Sequence, residues 1–273
     1  MATYHGLALT LGASSSSLPD PHAVPGLSLW LDAGDRSTLW KDTFMVNPVT
    51  QDGDPVGLWK DKSGNGFNFL NVNLSQQPTY KTGIMGSEAA ILGDGSKTYL
   101  HNSTCNIATT TGITIYVVIK AVATSSFQSV FSAYAGAGTA TTTPDGWDFE
   151  TWTSSRWLLD RFDTDTDGLL LSKTAASSDF TQSQIIACSI DLGAGVGKIW
   201  VNGGTSSSDT MSDRTHINPT AMRIFARVDS AVEYFGGYLS QVLAYAGPHS
   251  TNQVNQILQY LSFRSSIPVA MAT

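Results

Sequence analysis

The chain has 273 residues, 41% of them hydrophobic and 14% charged, against roughly 25% charged in an ordinary soluble domain, so it can bury a full core. Its net charge of −7, with no run of Lys or Arg, argues against nucleic-acid backbones and anionic membranes as partners, since both need clustered positive charge. No stretch is long and apolar enough to cross a bilayer, so membrane insertion is not expected.

Residues 1–25 read as an arm and linker. "GLALTLG" is a short, uncharged, β-prone run, and "SSSSLPDPHAVPG" sets Ser and Pro together without a hydrophobic period. No Lys or Arg precedes the apolar patch, as the charged region of a secretory signal would require. From about Gly26 the chain breaks into short β-type runs divided by turn residues, among them "LSLWLDA", "GLWKD", "FNFLNVN", "GITIYVVIKAV", "FQSVFSAYA", "GWDFETWT", "RWLLDRF", "SQIIACSIDL", "GKIWVNG" and "YFGGYLSQVLAYA". Two cysteines, Cys105 and Cys188, fall in or near such runs and are expected as buried reduced thiols. One helix is expected near the end, in "HSTNQVNQILQYLSFR". Ser250 and Gln253 fit a capping box, and Val254, Ile257, Leu258 and Leu261 share one face. Residues 265–273 form a tail. The fold class is therefore all-β, two packed antiparallel sheets with a single C-terminal helix.

"GWDFETW" and "RWLLDRF" face each other as a hairpin. A two-residue turn at Ser154-Ser155 would set Trp152 opposite Trp157 and Asp148 opposite Arg161, with Trp147, Phe149, Leu158 and Phe162 on the other face. Sugars stack their C–H faces on aromatic rings and hydrogen-bond charged side chains. Asp148, Glu150, Trp152, Trp157 and Arg161 are thus the expected ligand-binding residues. The blander alternative is that both tryptophans pack beneath a neighbouring loop.

The ordered pieces "LSLWLDAGD", "VGLWKDKSGNGFNF", "QPTY", "LGDGSKTYL", "IWVNGG" and "GPHSTNQVNQILQYLSFR" resemble the bacterial and phage laminin-G-like branch of the concanavalin A-like lectin and glucanase superfamily. The resemblance covers 26–264 and implies a jelly-roll sandwich. Glucanases of that superfamily carry an E-x-D-x-E strand. "GWDFETW" matches it at Asp148 and Glu150 but has Gly146 in place of the first carboxylate, and a retaining glycosidase needs two carboxyl groups roughly 5–5.5 Å apart. No catalytic residue is therefore expected, although Asp148 and Glu150 share a strand face.

The five histidines are scattered, no G-x-S-x-G elbow is present, and "GAGVGK" has the wrong spacing for a phosphate loop. "DTDTDG" places Asp163, Asp165 and Asp167 as the opening of an EF-hand loop would, but the twelfth position is Thr174 and the setting is a hairpin tip. Three aspartates there read as turn formers. No metal and no cofactor are expected, with calcium at this turn as the open alternative because some laminin-G-like domains bind calcium at loop tips. A charge-poor surface rich in Ser, Thr, Gly and Asn, together with the resemblance, points to a non-enzymatic phage virion accessory protein, decorating the capsid or mounted on the tail. It would fold in the host cytoplasm and be displayed on the virion surface in many copies or as a homo-oligomer. Residues 1–25 would join it to other virion proteins, and the sandwich would meet cell-surface glycans. The alternatives are a free-standing extracellular lectin and a glycan hydrolase or lyase.

Overall fold

A computed structural model describes residues 19–86, 88–104, 107, 109–122, 127–134, 146–152, 156–162, 169–174, 179–210, 219–228 and 233–273. Seventeen strands and one α-helix lie among them. The strands are β1 (Leu27–Asp32), β2 (Leu39–Trp40), β3 (Leu58–Trp59), β4 (Phe69–Leu70), β5 (Thr79–Met85) and β6 (Glu88–Asp94). They continue with β7 (Leu100–Asn102), β8 (Gly112–Ala121), β9 (Gln128–Tyr134), β10 (Gly146–Trp152), β11 (Arg156–Phe162) and β12 (Leu169–Thr174). The last are β13 (Gln184–Asp191), β14 (Val196–Val201), β15 (Ser207–Thr210), β16 (Ala221–Ile224) and β17 (Gly236–Ala246), followed by α1 (Thr251–Ser265).

They form an all-β sandwich. One sheet runs β15-β14-β13-β8-β17-β6-β5, with β1 also paired to β17; the other runs β12-β11-β10-β9-β16-β7-β4-β3-β2. The pairings between these strands are antiparallel. Alternation explains the layers. On β8, Ile113, Ile115, Val117 and Ile119 face the second sheet, while Tyr116 and Val118 face the helix. A strand covered on both sides reads as a continuous apolar run, as "GITIYVVIKA" does.

The helix forms as its sequence predicts. Ser250 Oγ accepts from Gln253 N, and Gln253 Oε1 accepts from Ser250 N at 2.9 Å. Val254, Ile257, Leu258 and Leu261 are buried against Tyr116, Ile185, Trp200 and Leu243. Arg264, in its last turn, reaches Glu88 on β6 through Nε at 2.9 Å and Asp32 on β1 at 3.4 Å.

Both ends of the described chain also pack on the sandwich, though the expected boundaries put them outside it. The Tyr245 hydroxyl donates to Pro21 O at 3.1 Å, and Val24 is buried. In the tail, Ile267 and Ala272 are buried, and Ala270 N donates to Asn202 O at 2.9 Å. Gly203 makes that approach possible: its φ is +72°, and a Cβ there would meet Ala270 O at 1.9 Å. Residues 1–18 of the arm lie outside the described residues, as does Cys105. Cys188 is a buried free thiol whose pKa burial pushes up.

Leu258 is 1% exposed, so Leu258→Ala should cost about 2–5 kcal/mol, the lost burial plus the cavity. Chemical denaturation reads this directly. An unchanged midpoint would show that the helix contributes nothing to the core.

Candidate functional site

The helix covers the outer face of the first sheet; the outer face of the second carries the polar chemistry. Along β10, Trp147 and Phe149 enter the core, so alternation sends Asp148, Glu150 and Trp152 to the opposite side. On β11, Trp157 and Leu159 enter the core, leaving Arg156, Leu158 and Asp160 on the face of Asp148. A bulge in β9 pairs Phe149 with Phe131 but Glu150 with Ser129. The extra residue re-aims the strand end, and Ser129 Oγ donates to Asp148 Oδ1 at 2.6 Å.

The hairpin register differs from the expected one. Trp152 pairs with Arg156, Thr151 with Trp157, Asp148 with Asp160 and Trp147 with Arg161. Three residues, 153–155, therefore separate the paired ends where two were expected, and a one-residue shift turns every side chain of the second strand to the other face. Trp157 is consequently no surface platform. It is 1% exposed, lies 5.3 Å from Phe149 and 4.7 Å from Phe180 between ring centroids, and its Nε1 donates to Gln184 Oε1 at 2.9 Å. Arg161 does not oppose Asp148 either, because its backbone pairs with Trp147. The turn bearing Asp163, Asp165 and Asp167 lies outside the described residues.

Asp148, Glu150 and Trp152 share one face as expected, in company the sequence did not announce. Tyr134 OH donates to Asp148 Oδ2 at 3.4 Å, and Arg227 Nε stands 3.9 Å from the same oxygen. Arg227 also pairs with Glu233 at 3.3 Å. One oxygen each from Asp148, Glu150 and Glu233 falls within 4.8 Å of the others. Trp152 stacks on Phe127 at 5.8 Å and 20°, and the Arg156 guanidinium sits 5.4 Å from its ring centroid. Phe127 is 41% exposed, so this pair forms an aromatic rim beside the carboxyl groups.

Burial and mutual repulsion set the electrostatics. Burial, then Glu150, holds Asp148 well above the usual carboxylate range. Glu150 is pushed up to about 8 by burial, then by Asp160 and Glu233, and Asp160 to about 8 by burial, then by Asp148. The Asp160 carboxyl beside Glu150 is thus one reason that Glu150 holds its proton. The missing first carboxylate has a steric cause: a Cβ at Gly146 would lie 1.8 Å from Ala133 O. Asp160 was readable from "RWLLDRF" once the register was known, whereas Glu233, Arg227 and Phe127 arrive from distant segments with no local signal.

No protein-family model matches the sequence, and no curated protein matches it. Solved structures share the fold. The binding domain of Paraclostridial Mosquitocidal Protein 1 is 13% identical with a TM-score of 0.58, over 87% of this chain and 52% of that one. The serotype G botulinum neurotoxin binding domain is 12% identical with a TM-score of 0.60, over 86% and 51%. The serotype D ligand-binding domain, solved in complex with N-acetylneuraminic acid, is 10% identical with a TM-score of 0.56, over 86% and 50%. This chain spans about half the length of those domains.

Glu150 and Asp160 titrate at about 8 when folded but at ~4 when unfolded. The folded state then binds more protons between those values, so stability is full below the unfolded pKa and falls as pH rises through the folded one. In chelator, the denaturation midpoint should drop from about pH 5 to about pH 8.5, and Asp160→Asn should remove much of the drop. His249, pushed down to about 4 by burial, acts in the opposite sense below ~6.5, so the variant is the proper reference. Identical slopes in both proteins would dissolve the carboxyl cluster as a coupled group.

Proposed function

We propose that this chain is a non-catalytic lectin-like sandwich, of the laminin-G-like kind, that presents the outer face of its second sheet to cell-surface glycans. One observation carries the reading: Trp152, stacked on Phe127 and flanked by Arg156, borders a sheet face lined with carboxyl and hydroxyl groups. An aromatic rim beside hydrogen-bonding groups suits a sugar ring, whose C–H face packs on the aromatic plane while its hydroxyls reach the polar residues. The toxin binding domains support it, since one of them holds N-acetylneuraminic acid. Trp152 keeps the role expected of it, Phe127 and Arg156 replace Trp157 and Arg161, and Asp148 and Glu150, 1% and 4% exposed, form the polar floor beneath the aromatic rim.

The non-catalytic part is supported by Gly146, where the backbone of β9 leaves no room for a carboxylate. The setting we propose is the surface of a phage particle in many copies, with residues 1–18 joining the chain to other virion proteins by adding a strand to a neighbour's sheet edge. This part rests on the family resemblance and on the uncharged "GLALTLG".

A glycan array that includes sialylated structures tests the first part. Trp152→Ala should weaken the best binder about tenfold or more, as loss of an aromatic anchor does, without moving the melting temperature. An array without a hit would remove the glycan reading, and release of reducing ends from a polysaccharide would make the chain a hydrolase. Deleting residues 2–18 should leave melting unchanged and abolish incorporation into particles; full incorporation would place the anchoring surface on the sandwich.

A further inference from the structure

The carboxyl groups on the second sheet meet more closely than water can screen. One oxygen each from Asp148, Glu150 and Glu233 lies within 4.8 Å of the others, while Asp148 and Glu150 are 1% and 4% exposed. Oxygens on opposite sides of a calcium ion, each at roughly 2.3–2.6 Å, stand roughly 4.6–5.2 Å apart, so an ion fits among these three. Arg227 supplies one positive charge, 3.9 Å from Asp148 and 3.3 Å from Glu233, against several carboxyl groups.

An independent feature points to the same space. Asp160 is 8% exposed, and its Oδ1 is buried with no hydrogen-bond partner among the described residues. It stands directly across from Asp148 in the β10–β11 register, so it borders the space of the three oxygens without being one of them. A buried carboxylate oxygen without a donor is unfavourable unless something supplies positive charge.

We propose that Asp148, Glu150 and Glu233 together hold one divalent cation, with Asp160 bordering the site. An all-oxygen, carboxylate-rich donor set selects calcium, magnesium or manganese over zinc or copper, and the partial burial leaves the remaining positions to water. Such an ion would tie β10 to the segment bearing Glu233, beside a strand pair that sets like charges opposite each other. No local motif announces this metal site, because its three ligands come from β10 and a distant segment, with Asp160 brought alongside by β11. The assignment is to the sheet and not to Asp163, Asp165 and Asp167, and it does not depend on glycan binding.

The test uses the full chain stripped with chelator and then titrated calorimetrically with calcium, with magnesium and manganese in parallel and sodium at matched ionic strength. The expected result is saturable one-to-one heat and a rise in melting temperature. Asp160→Asn and Glu233→Gln should each weaken the affinity by about tenfold or more, and Asp165→Asn should match the parent. Glu233 is only part-buried, so Glu233→Gln keeps the test decisive if Asp160→Asn fails to fold. Absence of saturable heat and of a melting shift with all three ions overturns the proposal. So does binding that survives Asp160→Asn and Glu233→Gln but is lost in Asp165→Asn.

Discussion

The packing of aromatic rings beneath β9, β10 and β11 is the constraint on which the outer face depends. Phe131 meets Trp147 edge-on at 4.5 Å, Phe149 stacks on Trp157 at 5.3 Å, and Trp157 touches Phe180 at 4.7 Å. Burying one such side chain stabilises the fold by roughly 1.5–3 kcal/mol. Slipping β11 by one residue would send Trp157 and Leu159 to the outside together. The register that keeps them inside also places Asp160 opposite Asp148, an arrangement that cross-strand electrostatics alone disfavours. The conflict resolves in favour of the rings because a carboxyl group can keep a proton or take a cation, whereas a ring has no comparable means of lowering the cost of exposure.

Much of this architecture is legible in the sequence because its signals are local. The capping box at Ser250 and the apolar stripe through Leu261 can be read from one short stretch, and the two-sided burial of β8 shows as an unbroken apolar run. The alternation in "GWDFETW" correctly separates Trp147 and Phe149 from Asp148 and Glu150. The hairpin fails for a reason of the same kind. The face of Trp157 hangs on whether two or three residues join the strands, and "TSSR" contains no glycine or proline to decide the turn. The rest of the site is illegible because it is assembled across the chain: Ser129 donates to Asp148, Arg227 spans Asp148 and Glu233, and Phe127 stacks on Trp152.

The opposite side of the molecule shows how this fold treats buried carboxylates that serve structure. Asp32, wholly buried on β1, receives Lys62 Nζ at 2.9 Å and Arg264 at 3.4 Å. Glu88 receives Arg264 Nε at 2.9 Å and Ser240 Oγ at 3.0 Å. Arg264 is well placed for both, since the end of a helix favours a cation, and the pairings fasten α1 to β1 and β6. Asp54 accepts from Thr50 N and Gln51 N and pairs with Lys41, and these partners pull it down to about 2. Asp94, although exposed, accepts from three successive backbone N–H groups and is held well below the usual range.

The contrast with Asp148, Glu150 and Asp160 is therefore one of provision. Asp32, Glu88, Asp54 and Asp94 are met by lysine, arginine or backbone N–H groups, and at Asp54 and Asp94 these partners stabilise the charge. On the outer face of the second sheet Asp148 accepts from Ser129 and Tyr134 and has Arg227 at 3.9 Å, yet Asp148, Glu150 and Asp160 also crowd one another and their charge is disfavoured. A fold that satisfies Asp32 and Glu88 so completely has the means to satisfy a buried acid. Three acids with disfavoured charge on one face, beside Phe127 and the part-exposed Trp152, are the feature on which the proposed ligand site rests. In both proposals the ligand supplies what this face lacks: a divalent cation brings positive charge, and a sugar brings hydroxyl donors.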